Sequence, residues 1–207
     1  MSGIFITLEG IDGAGKSSHI AALHEQLQRC HAEVIVTREP GGTELAEQLR
    51  DMILHQRMDT LTEVLMVFAA RRDHLVQCIE PALQRGALVL CDRFTDATFA
   101  YQGAGRGFDS RILQQLEHWV QGARTPDLTL LFDLPPTIAA QRRAAVREPD
   151  RFEQMQTEFF ERVRGGYMQR VELEPQRFAV LDAQKTPTEV WQDLQSILIN
   201  KGYLHAH

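Results

Sequence analysis

The chain has 207 residues, 43 % of them hydrophobic and 24 % charged, the balance of an ordinary globular domain with a sizeable core rather than a disordered or fibrous protein. Its formal net charge of −6 gives an overall field that repels nucleic acid and anionic lipid, so a strongly anionic ligand needs local positive charge to bind.

In chain order, "GIFITLEG" is a short apolar run rich in β-branched residues that stops at glycine, and it predicts a buried strand. Ile20, Leu23 and Leu27 recur at helical spacing between Lys16 and about Arg29. "AEVIVT" predicts a second strand, ending in the turn-rich "REPGGT". Helical patterns occupy about 44–56 and 61–84, and "ALVLC" at 87–91 gives a third strand. A helix over about 109–121 precedes a fourth strand, "LTLLFDL". Basic helical stretches run from about 136 to 173, and "RFAVLD" at 177–182 makes the fifth strand. "PTEVWQDLQSILIN" closes the chain as a helix, with Pro187 suited to its first turn. No repeat or low-complexity linker divides the chain, so a single domain over 1–207 is expected. Alternating strands and helices predict an α/β fold with a mostly parallel five-stranded sheet covered on both faces. Ligands of such folds collect beyond the C-terminal strand ends, where segments 10–18, 38–43, 92–98 and 183–185 fall.

Three cysteines, Cys30, Cys78 and Cys91, form no C-x-x-C and read as reduced core thiols. No charged-then-apolar leader opens the sequence, and no apolar run reaches the ~18 residues of a membrane span. A soluble cytoplasmic protein without nucleic-acid or membrane partners is the expectation.

"GIDGAGKSS" matches G-x-x-x-x-G-K-[ST] between a strand and a helix, the context in which that motif cradles phosphate. Glycines let backbone N–H groups converge on phosphate oxygens, and the helix N-terminus adds a favourable dipole. Gly10, Ile11, Asp12, Gly13, Ala14, Gly15, Lys16, Ser17 and Ser18 are therefore candidate ATP-binding residues. Lys16 would reach the β- and γ-phosphates and Ser17 would ligate Mg²⁺.

A guanine-reading N-K-x-D is missing; its nearest match, "NKGY" at 200–203, lacks the aspartate. A kinase acting on a small molecule needs an acceptor pocket, cations around the transferring group and a way to exclude water. "CDRF" ends the third strand, with Asp92 placed for Mg²⁺ and Arg93 for an acceptor phosphate. "AARRDHL" sets Arg71 and Arg72 on a mostly apolar helix, which suits a partly buried, ligand-facing arginine or a solvated face. "QRRAAVREPDR", 141–151, reads as an arginine-rich flap that closes on triphosphate, or as an exposed basic helix.

"LEGIDGAGKSS", "TREPGGT", "LMVFAARRDHL", "CDRF…ATFAYQGAGRG", "TPDLTLLFDL" and "REPDRFE" together resemble the bacterial thymidylate kinases, in order and spacing, from about residue 4 to 183. The resemblance implies a P-loop NTPase fold with a LID at about 141–152, usually in a homodimer, that phosphorylates dTMP from ATP with Mg²⁺ to give dTDP. It implies Asp12 near the acceptor 3′-hydroxyl, Arg93 on the dTMP phosphate, Arg71 and Thr98 near thymine, and Tyr101 crowding a ribose 2′-hydroxyl. Gln102 and Arg50 fall at positions that line the acceptor site. Two departures stand out. Where the family stacks a phenylalanine on thymine, this sequence has Val67, with Phe68 next to it; either Phe68 does the stacking or an aliphatic wall replaces the ring. The transfer-assisting arginine is absent from the phosphate loop, where Gly13 stands, and so belongs to the LID, with Arg147, Arg142 and Arg143 as candidates in that order. Another nucleotide or nucleoside kinase, or a P-loop switch, are the rival readings.

Overall fold

In a computed structural model of the chain, residues 3–144 and 157–205 are described. Five strands, β1 (Ile4–Glu9), β2 (Val34–Arg38), β3 (Leu88–Asp92), β4 (Leu128–Asp133) and β5 (Phe178–Asp182), form one sheet in the order β2-β3-β1-β4-β5. Every pairing is parallel, with Ile6 opposite Leu90 on one side and Leu128 on the other. β1 lies in the middle: the connection after it runs to β2 on one side and the connection after β3 crosses to β4 on the other, a reversal that opens a crevice at the C-terminal strand ends.

Period-two alternation divides the apolar residues between two faces. Ile6, Leu8, Leu88, Leu90, Leu128 and Leu130 belong to a large core with Leu23 and Leu27 of α1 (Ser17–Gln28) and Leu194 and Leu198 of α9 (Pro187–Asn200). Phe5, Val89 and Cys91 point the other way, to Leu75, Ile79 and Leu83. The parallel sheet is thus covered on both sides, as the apolar strand runs predict.

α2 (Glu44–His55) starts on Thr43, whose hydroxyl accepts from the Ala46 amide, and α3 (Thr60–His74) on Asp59, whose carboxylate accepts from Leu61 and Thr62. Such caps satisfy amides that have no partner inside the helix. The predicted helix over 61–84 is interrupted: α3 passes into a π-helical turn at Leu75–Ile79 before α4 (Glu80–Gln84). α6 (Ser110–Gln121), α7 (Pro136–Ala144) and α8 (Thr157–Leu173) complete the helices foreseen from the sequence. Unforeseen were the short α5 (Thr95–Thr98) and the π-helical segment Phe99–Gly105 that continues it. A repeat of i to i+5 leaves no trace in a search for 3.6-residue periodicity.

Candidate functional site

Beyond Glu9 the chain turns at Gly10, whose φ is 134° and where a β-carbon would collide with the carbonyl of Phe132 on β4. Gly13 and Gly15 also adopt positive φ, 89° and 91°, conformations glycine takes without steric cost. The loop arrives at Lys16, the cap of α1, with its ammonium folded back to donate to the Gly10 carbonyl at 2.8 Å. Burial lowers the Lys16 pKa and Arg93 pushes in the same direction, against Asp92, Asp12 and Glu9. Residues Asp12 through Ser18 line a cavity of about 930 Å³. Ile11 turns its side chain into the core, which leaves only its backbone for the loop, and Gly10 contributes its carbonyl to Lys16.

Opposite the loop stands Arg93, the first residue after β3. Its φ of 72° is the one positive value among described non-glycine residues, a conformation that the surroundings must hold in place. Glu9 does much of that holding. One of its carboxylate oxygens accepts the Phe94 amide at 2.7 Å, and the other accepts the Tyr167 hydroxyl at 2.9 Å. Tyr167 Oη in turn accepts from Nη1 of Arg93 at 3.1 Å. Nη2 of Arg93 donates to Asp12 at 2.8 Å and to the Tyr101 hydroxyl at 3.0 Å, and Tyr101 donates to Asp12 at 3.0 Å. Burial opposes the Asp12 charge, but Arg93 and Lys16 outweigh it and hold its pKa at about 2. Burial and the Asp96 charge push Glu9 the other way, up to about 8.

Asp96, one turn beyond, is buried between Arg170 at 2.7 Å and Arg177 at 2.8 Å, which fasten α5 to α8 and to the start of β5. Removing one partner would strand a buried charge, so the network holds α5 in a fixed place.

A smaller cavity of about 100 Å³ continues from Arg93. Its wall includes Arg50, Val67, Arg71, Thr98, Tyr101 and Gln102, and it shares Asp12, Glu39, Arg50 and Arg93 with the large one. Arg71 is 2 % exposed. Its Nε donates to Glu39 at 2.7 Å and its Nη2 to Thr98 Oγ1 at 2.9 Å and the Phe94 carbonyl at 3.2 Å. Its Nη1 is buried and has no partner among the described residues. Val67, not Phe68, forms the wall. Phe68 packs with Val64, Phe99 and Leu113, and its ring lies 5.0 Å beneath the Arg71 guanidinium. Positions 67 and 68 sit four and three residues before Arg71, so both are on its face of the helix; packing against α6 decides which turns away. Arg50 donates to the Pro40 carbonyl at 2.9 Å, and Gln102 to the buried Glu63 at 2.8 Å.

Asp92 lines the large cavity with Ser17, and its Oδ1 is buried without a hydrogen-bond partner among the described residues. A hydroxyl and one carboxylate leave most of a Mg²⁺ shell to water and phosphate oxygens, the usual arrangement for that ion, so these two residues fit it. Arg142, on α7, lies at the other end of the cavity, donating to the Ala183 carbonyl at 3.0 Å near Lys185 and Pro187. Arg147, the side chain of Arg143 and most of the expected LID lie outside the described residues.

Sequence reasoning gave no individual role to Glu9, His74 or Tyr167, and named Arg38, Glu39 and Lys185 only as parts of segments at the ligand edge. Glu9 carried a signal, an acid at the end of an otherwise apolar strand. Tyr167 carried none, for it lies 158 residues from the carboxylate it serves.

Residues 8–194 match the family profile described as thymidylate kinase. A thymidylate kinase of Albidiferax ferrireducens is 57 % identical over 210 residues, 98 % of each chain. One of Burkholderia ambifaria is 55 % identical over 201 residues, 95 % of this chain and 98 % of that one. Among solved structures, a thymidylate kinase from Ehrlichia chaffeensis superposes with a TM-score of 0.78 at 34 % identity, covering 96 % of this chain and 99 % of that one.

Proposed function

The chain belongs to the thymidylate kinase family and has its P-loop NTPase fold, and from that membership we propose that it transfers the γ-phosphate of ATP to dTMP, giving dTDP for dTTP synthesis. One observation carries the reading. A large cavity lined by the phosphate loop and a small one whose wall includes a buried donor to spare meet at Asp12 and Arg93. ATP takes the first and the thymine nucleoside the second, so the two phosphates face each other at the junction.

An oxygen of the dTMP phosphate is the nucleophile. With a second pKa of about 6 it is mostly dianionic at neutral pH and needs no general base. Electrostatic repulsion is the obstacle: each unit-charge pair at ~4 Å costs about 4 kcal/mol at an effective dielectric near 20. Lys16 on the donor side and Arg93 on the acceptor side offset it while keeping the reactants in line. Arg93 acts without rearrangement because Glu9, Tyr167, Tyr101 and Asp12 already hold it. Asp12, ionised throughout the physiological range, accepts a hydrogen bond from the acceptor 3′-hydroxyl. Tyr101 closes the space a 2′-hydroxyl would occupy. Thr98, Arg71, Gln102 and Val67 bound the base, and Arg50 supports the acceptor phosphate. Asp92 and Ser17 would hold Mg²⁺, which when bound supplies neutralisation of the triphosphate charge. A LID arginine, Arg147 ahead of Arg142 and Arg143, completes the cation set.

We place the whole chain, 1–207, in one cytoplasmic domain; no helix among the described residues is long and apolar enough to cross a membrane. A homodimer is inferred from the family likeness, with α3 and the turn after it, where Leu61, Leu65 and Val76 are 50 %, 49 % and 44 % exposed, as the face we assign to it. The reading is tested by coupled ADP release over a panel of nucleoside monophosphates. dTMP should be the best acceptor and dUMP a poorer one, by about 10–200-fold in kcat/KM for the missing methyl. Equal values for the two reject the base pocket, and no ADP release with any member rejects the kinase.

A further inference from the structure

Arg71 is oriented by a chain of buried groups that the transfer reaction itself does not use. Glu39, 3 % exposed, accepts from Arg71 with one carboxylate oxygen and meets Nδ1 of His74 with the other, at 2.7 and 3.0 Å. His74 is fully buried, and its Nε2 lies 2.7 Å from Thr37 Oγ1. The loop between them is folded tightly onto the ring: Gly42 has φ 86°, and a β-carbon there would collide with both His74 and Thr37. Burial disfavours charge on the imidazole, but hydrogen bonds that the ring donates to Cys78 and Glu39 raise its pKa to about 9. At neutral pH the ring is an imidazolium with two donors, one aimed at Glu39 and one at Thr37. Glu39 thus lies between two cations, with both carboxylate oxygens engaged and no freedom to rotate. Arg71, fixed by Glu39 at Nε and by Thr98 at Nη2, has a single direction left for Nη1.

We infer that His74 is a positioning residue for base selection: through Glu39 it locks the Arg71 guanidinium so that its spare N–H meets the 4-oxo group of a pyrimidine and opposes a 4-amino group. The physical basis is the asymmetry of hydrogen bonding. A fixed buried donor facing an oxo group is satisfied, whereas facing an amino group it leaves donors opposed and unpaired. A guanidinium free to swing would escape that conflict and lose the discrimination. The inference rests on assigning the small cavity to the base of dTMP.

The test measures kcat and KM for dTMP and dCMP in wild type, His74→Gln and Arg71→Ala, with melting temperatures alongside. His74→Gln is expected to raise KM for dTMP about tenfold with kcat kept within about threefold, and to reduce the dTMP-to-dCMP ratio of kcat/KM by about tenfold or more. Should that variant fail to fold, Thr37→Val withdraws the bond at the other ring nitrogen and carries the same expectation at several-fold. A lowered melting temperature with an unchanged base ratio makes His74 merely structural and overturns the inference. If Arg71→Ala also leaves the ratio unchanged, it is the base assignment that has failed. If Arg71→Ala erodes the ratio and His74→Gln does not, the assignment stands and the inference alone is lost.

Discussion

The two cavities hold arginine and lysine in contrasting ways. Around the phosphate loop, the proposed selection is by charge: main-chain amides, a lysine resting on a carbonyl, and a cavity of about 930 Å³. In the cavity proposed for the acceptor, about 100 Å³, the cation Arg71 is buried and makes three hydrogen bonds through Nε and Nη2 before any ligand arrives. A triphosphate is the same on every nucleotide, so its site needs strength and approach more than discrimination. A base must be told from its near relatives, and that requires donors that cannot adapt. Arg93 lies between the two and combines them, with a left-handed backbone held by Glu9 and a guanidinium already bonded to Asp12, Tyr101 and Tyr167.

Several variants would break or sharpen this contrast. Lys16→Ala removes the charge on the donor side and should lower kcat/KM for dTMP by about a thousandfold or more, measured by ADP release; a loss under tenfold would move the donor site elsewhere. Next in size is a pH effect on the acceptor side. Because the His74 pKa of about 9 lies above the ordinary 6.5, its stabilising contribution is complete below pH 6.5 and lost as pH rises through 9. The stability advantage of wild type over His74→Gln should shrink by about 3 kcal/mol between pH 6 and pH 10 in urea titrations. A constant difference would mean the ring is neutral in the fold.

Tyr167→Phe tests the junction. It cuts the link between Glu9 and the Arg93 guanidinium, leaving Asp12 and Tyr101 to hold it, and should reduce kcat/KM for dTMP about tenfold. Wild-type turnover would show those two to be sufficient. At the small end, Arg29→Ala breaks an exposed i,i+4 pair with Glu25 and should change stability by less than about 0.5 kcal/mol, a baseline for surface charge against which the buried Arg71–Glu39 pair can be judged.

Much of this was legible in the amino-acid order. The strands are short apolar runs ended by turn residues, and they were found to within two residues at each end. The phosphate loop was legible because its chemistry is local: glycines, lysine and serine act within nine consecutive residues. Arg93, Thr98, Tyr101 and Arg71 could be singled out by their motifs. The π-helical setting of Tyr101 and Gln102 was not legible, since it departs from the periodicity by which helices are found. The core packing of the Ile11 side chain was not legible either, because a position inside a phosphate-binding motif can offer its backbone to a ligand while its side chain faces the core.

By itself the sequence determined the parallel α/β class and singled out the loop and the arginines proposed to hold phosphate, since propensity, periodicity and short motifs are properties of neighbouring residues. Only the tertiary structure decided that Val67 rather than Phe68 walls the smaller cavity, that Glu9 and Tyr167 brace Arg93, and that His74 stands behind Glu39. These are contacts between distant segments, settled by which of several chemically competent side chains the packing of α3, α6 and α8 leaves facing the crevice.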